Sequence, residues 1–89
     1  MNSYKFHEVI DDSRLDSYLL VLELIKRQAQ VEFDFRSTSF IAPAGMALLC
    51  CLVDAALERK RSLRFHLGKK LARQYPFVVQ LKMIAENNR

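Results

Sequence analysis

Two glycines and two prolines in 89 residues leave little material for loops, and tryptophan is absent. With so few chain breakers, connections must be short. No run of about twenty apolar residues occurs, which excludes a membrane-spanning helix. The opening MNSYKFHEVIDDS has no apolar core of the secretory kind, so an intracellular, cytoplasmic chain is expected. The only two cysteines, Cys50 and Cys51, are adjacent. Neighbours on a helix project about 100° apart, so the two thiols are poorly placed to bridge, and a reducing compartment fits. They sit inside an apolar run and are expected to be buried and inert. His7 and His66 are far apart in sequence and lack the spaced partners of a metal site, so no metal and no cofactor is expected.

What is present is globular: 51% hydrophobic and 27% charged residues. The length makes one domain, residues 1–89, able to bury only about 60–65% of its unfolded surface. One core fits, but an enclosed substrate cavity would take a large share of it. Net charge is +4, from fourteen Lys and Arg against ten Asp and Glu. That favours acidic partners without identifying nucleic acid as one.

Residues 4–10 alternate weakly and predict a short edge strand. Asp11, Asp12 and Ser13 are cap and turn residues. Residues 14–29 place Leu15, Leu19, Leu22, Ile25 and Ala29 at helical spacing, which predicts a helix buried along that stripe. Residues 31–35 alternate cleanly, with Val31, Phe33 and Phe35 on one side and Glu32 and Asp34 on the other. A polar turn, 36–39, leads to Phe40 and Ile41, both expected in the core. Pro43 suits a first helical turn and opens a helix over 43–60. Met46, Leu49, Val53 and Leu57 form its inner stripe, widened by Leu48, Cys51, Leu52 and Ala55. At its start, Ala42, Ala44, Gly45 and Ala47 are small enough to present a flat patch. Residues 62–67 alternate again, with Leu63, Phe65 and Leu67 inward. Gly68 ends that run; a short helix over 69–74, a turn at Tyr75-Pro76 and a last helix over 77–86 complete the chain. Strands alternating with helices predict an α/β fold, a three- to four-stranded mainly parallel or mixed sheet with three to four helices on it.

The segment VEFDFRSTSFIAPAGMALLCCLVDAALERKRSLRFHL resembles the central part of STAS domains, the family of anti-anti-sigma factors and transporter tail domains. In that family a strand ending in Asp precedes a short turn, a Phe-Ile-Asp-Ser-Ser-Gly-like junction, an apolar helix and a further strand. Asp34 falls at the acidic position, Phe40-Ile41 at the aromatic-aliphatic pair, Gly45 at the Gly and Met46 to Leu52 in the helix. The tail LARQYPFVVQLKMI is similar to the last helices of STAS relatives. The resemblance covers residues 31–84 well and 4–29 loosely. It implies a non-enzymatic module that binds a protein partner through Ser37, Thr38, Ser39, Ala42, Pro43, Ala44, Gly45, Met46 and Leu48. The implied partner is a histidine-kinase-like ATPase, an anti-sigma-like regulator, a transporter ATPase subunit or a second copy of the chain. In switchable members a partner kinase phosphorylates the Ser before the Gly; here Ala44 stands there and carries no such switch. Ser37, Thr38 and Ser39 are hydroxyls just upstream, expected to form a polar turn.

Asp34 and Glu32 form a carboxylate pair without a nucleophile placed beside them, and Asp34 is expected to orient the turn before helix 43–60. The densest charge feature is Arg59, Lys60, Arg61, Arg64, Lys69, Lys70 and Arg73. If clustered on one side it would serve an acidic surface or nucleic-acid phosphates, the alternative function for this chain. Exposed aromatics to stack bases are not interleaved with it.

Overall fold

The computed structural model describes residues 2–87. Its elements are β1 (Ser3–Lys5), β2 (Val9–Ile10), a 3-10 turn (Asp12–Arg14), α1 (Leu15–Arg27), β3 (Gln30–Asp34), β4 (Phe40–Ile41), α2 (Pro43–Glu58), β5 (Ser62–His66), α3 (Lys69–Gln74) and α4 (Pro76–Asn87). All strand pairs are parallel: β1-β3-β5 form a three-stranded sheet, and β2 and β4 form a separate two-stranded one. This is the α/β class expected from the alternation of strands and helices. The expected single strand over 4–10 is instead two short ones, interrupted at Phe6-His7-Glu8. The break lets Phe6 bury its ring while its N–H still reaches Asp34 O at 2.8 Å.

Strand order follows chain order. Each crossover therefore steps in the same direction, and both crossover helices land on the same face. That face carries Val31, Phe33, Leu63 and Phe65, all buried. Phe6, Phe33, Phe35 and Phe65 form the aromatic centre of the core; Phe6 and Phe35 stack at 4.5 Å between centroids, and Phe33 lies 5.3 Å from Phe6 and 5.5 Å from Phe65. The opposite face is polar, with cross-strand rows Ser3–Glu32–Arg64 and Lys5–Asp34–His66. A parallel sheet bare on one face is uncommon; here period-two alternation gives that face side chains that water can solvate.

Arg61, Tyr75 and Glu86 are among the side chains that hold backbone groups secondary structure leaves over. Arg61 donates from Nε to Ile25 O at 2.8 Å and from its guanidinium to Lys26 O at 2.7 Å, closing the C-terminus of α1. The Tyr75 hydroxyl accepts from Ile41 N at 3.2 Å, on the side of β4 away from β2. On the outer edge of β5, Phe65 N donates to the Glu86 carboxylate at 2.8 Å, and Lys82 Nζ holds the same group at 2.7 and 2.8 Å. Burial raises the Glu86 pKa, but Lys82 and the Phe65 N–H outweigh it, so the carboxyl sits below its ordinary value.

The scarce glycines are not spent on left-handed backbone. Lys60 takes that conformation, at φ 56°, in the turn after α2. There Arg61 N reaches back to Ala56 O at 2.9 Å and Lys60 N to Leu57 O at 3.0 Å, the pattern of a Schellman close.

Several inward assignments are corrected by the structure. On α1 the buried residues are Tyr18, Val21 and Ile25; Leu15 and Leu19 are exposed. Phe40 is exposed, because successive strand residues face opposite ways and Ile41 takes the inner side. On α2, Gly45, Leu49, Leu52, Val53 and Ala56 are buried. Cys51 is exposed and Cys50 half-buried, both as free thiols, so the expectation that both are buried is overturned.

Candidate functional site

The junction between β3 and α2 lies at the C-terminal end of the parallel strands. Asp34 ends β3 and organises the turn after it. Its Oδ1 accepts from the Arg36 N–H at 2.9 Å and from Arg36 Nε at 3.0 Å, and its Oδ2 from the Arg36 guanidinium at 3.0 Å. Held by the Arg36 side chain first and its N–H second, Asp34 is lowered to about 2. A carboxyl depressed below its unfolded value stabilises the fold above pH ~4 and loses that contribution as pH falls through about 2. The shift alone would correspond to about 2.5 kcal/mol. Arg36 is mostly exposed, so screening reduces this to about 1 kcal/mol. Urea unfolding at pH 5 and at pH 2.5 should therefore show wild type losing roughly two thirds of that, about 0.7 kcal/mol, more than Asp34→Asn over that interval.

After this turn, Thr38 is buried and its Oγ1 donates to His7 O at 2.8 Å. Its hydroxyl is committed to tying the β3–β4 connection to the β1–β2 connection. Ser37 and Ser39 are exposed; Ser39 N donates to Glu8 O at 2.8 Å. β4 then pairs with β2, Val9 opposite Phe40 and Ile10 opposite Ile41. Ile10 and Ile41 enter the core, while Val9 and Phe40 lie side by side on the surface, 41% and 50% exposed.

Ala42 is extended at φ −73° and ψ 160° and caps α2 without a side-chain hydrogen bond; Pro43 is the first helical residue. Gly45 is buried against the backbone of Ile10. A Cβ at this position would overlap Ile10 O and lie 2.7 Å from its carbonyl carbon and 2.9 Å from Ile10 Cγ2. The junction, chemically blank as it is, therefore has a packing purpose: small residues let the helix start rest directly on β2. Pro43, Ala44 and Ala47 are exposed, and Ala42, Met46 and Leu48 half-buried. With Val9 and Phe40 they give the residues on either side of the β4–α2 junction an apolar character with no titratable group among them.

The basic residues are not gathered. Arg59, Lys60 and Arg61 precede β5, and Lys69, Lys70 and Arg73 come after it, so they stand at opposite ends of a five-residue strand, about 16 Å long. Arg64 is between them on the open sheet face, and Arg61 is committed to α1. Glu32 and His66 meet on that face, Oε1 to Nε2 at 2.8 Å.

His7 Nε2 lies 3.5 Å from Ser17 Oγ beside a cleft of about 410 Å³ lined by His7, Glu8, Val9, Asp11, Ser13 and Arg14. Among the described residues nothing fixes the other imidazole nitrogen, so the base–orienter relation of a hydrolytic triad is not assembled. Among those residues no group of three His, Cys, Asp or Glu could hold a metal ion, and no helix is long and apolar enough to cross a membrane.

The sequence alone does not mark Phe40 and Val9 as an exposed pair. The available signal for Phe40 is strand alternation: in the pair Phe40-Ile41 only one side chain can face inward. Comparison with family models, curated proteins and solved structures finds no match.

Proposed function

We propose that this chain is a non-enzymatic protein-interaction module of STAS type, acting in the cytoplasm and docking a protein partner on the junction over residues 37–48. The observation that carries the reading is this apolar character: Phe40 and Val9 exposed side by side, continuous along the chain with exposed Pro43, Ala44 and Ala47. Small residues at the helix start allow a partner's backbone to approach closely, and an exposed phenylalanine beside them is a suitable anchor. The partner is a regulatory protein: a kinase-like ATPase, an anti-sigma-like regulator or a transporter ATPase subunit. Ala44 has no hydroxyl, so binding is not broken by phosphate at that position. The alternative, a phosphate-binding basic surface over 59–73, is less well supported, because its cations are split between the two ends of β5 and Arg61 is engaged.

The test is capture by the tagged chain from its native cells with nuclease present, beside Ala44→Arg and Phe40→Ala. Both positions are exposed, so both variants keep the fold. One protein retained by wild type, resistant to nuclease and reduced at least tenfold by each variant is the expected result. Retention of nucleic acid at low salt in a parallel capture without nuclease, equal for all three chains and falling steeply as salt rises, transfers the function to the basic residues.

A further inference from the structure

Helix α1 exposes more apolar surface than a solvated helix needs. Leu15, Leu19 and Leu20 are 54%, 60% and 65% exposed. On the same outer face, Asp16, Glu23 and Arg27 stand seven and four residues apart, steps that at 100° per residue fall about 20° short of two turns and about 40° past one. Leu19 and Leu20 flank that line on either side. The net charge along the helix changes sign from end to end: Asp12 and Asp16, with Arg14 between them, at the N-terminal end, and Lys26 and Arg27, with Glu23 beside them, at the C-terminal end. Within the chain they are little used. Glu23 approaches Lys26 and Arg27 only at 3.6 Å, Arg27 is largely exposed, and the Asp16 carboxylate forms no ion pair with the described residues.

We propose that α1 is the contact of a two-fold homodimer, packed antiparallel against α1 of a second copy. An isologous contact requires a surface complementary to itself, with residue i meeting j and j meeting i. A helix net acidic at one end, net basic at the other and flanked by leucines between them meets that requirement in the antiparallel arrangement. Asp16 of each copy then faces Arg27 of the other, and the two Leu20 side chains meet near the axis. A parallel arrangement would set like charges together. The face is one helix of 13 residues, about 20 Å long. Such an interface is small, so the dimer is concentration-dependent, with a Kd on the order of micromolar. Its test positions, 16, 20 and 27, lie outside residues 37–48, so the two surfaces can be tested with different variants.

The experiment is sedimentation equilibrium of the full chain across micromolar to millimolar concentration, at low and high salt. Wild type is expected to dimerise, less so at high salt. Leu20→Asp is expected to be monomeric. Asp16→Arg and Arg27→Asp, each alone, place like charges opposite each other twice and are expected to weaken association tenfold or more. Mixed together, the two variants pair Arg at 16 with Asp at 27 in one contact and the native charges in the other, and association is expected to return. All positions are exposed, and circular dichroism checks that the fold is kept. A wild type monomeric throughout, a dimer indifferent to Leu20→Asp, or charge variants that fail to recombine overturns the proposal.

Discussion

Gly45→Ala is expected to destabilise the protein by more than about 3 kcal/mol, against the sign that helix propensity dictates. Inside a helix, alanine is favoured over glycine by about 1 kcal/mol. Here the added methyl overlaps the Ile10 carbonyl, a backbone group that cannot rotate aside as a flexible side chain would. To make room, the start of α2 has to lift from β2, which also disturbs the β2–β4 pairing held by Ala42 N on Ile10 O at 2.9 Å. Gly68→Ala is the matched control. Its nearest neighbour in space, Arg36 O, is 4.0 Å from the added carbon, and its cost should stay within about 1 kcal/mol. Urea midpoints of the two variants give the comparison directly. Equal, small effects would mean that the helix start can shift freely.

Phe33→Ala should cost about 3–5 kcal/mol. Phe33 is fully buried and faces Phe6, Phe35 and Phe65 at centroid distances of 5.3, 6.2 and 5.5 Å. A chain of this length has about 4–13 kcal/mol in total, so the variant loses a large part of its stability. Loss of near-ultraviolet circular dichroism and a lowered or absent urea transition are the expected signs. Phe40→Ala removes the same side chain from a half-exposed position and should cost under about 1 kcal/mol. The pair separates a core aromatic from a surface one that the sequence alone places in the same category.

That contrast separates what the sequence discloses from what it hides. Strand β3 is legible because Val31, Phe33 and Phe35 alternate with charged residues, leaving one choice of inner face. Helix α1 is legible as a helix but not in its rotation. Leu15, Leu19 and Leu22 compete with Tyr18 and Val21 for the inner stripe, which Ile25 shares in either case, and packing on the sheet selects Tyr18, Val21 and Ile25. Helix α2 has the same ambiguity; close approach of Gly45 to Ile10 fixes its rotation and turns Cys51 outward. Pro and Gly locate the junction, yet its exposed aromatic escapes notice because alternation in a two-residue strand says that one side chain faces outward without saying which. Tyr75 on Ile41 N and Glu86 on Phe65 N join residues 34 and 21 positions apart, and no local pattern announces such bonds.

The order β1-β3-β5 also bears on how the chain is assembled as it is synthesised. Each strand of the main sheet emerges after the strand it pairs with, so folding can proceed vectorially, one β-α step at a time, without waiting for a distant partner. The last strand is the exception in one respect. Its outer edge is closed by a carboxylate from the final helix, and until α4 has been made β5 presents a bare N–H at Phe65. An unpaired parallel edge invites pairing with another chain. Glu86 therefore covers that N–H only once α4 has been made, and the edge of β5 is more open to misassociation before then.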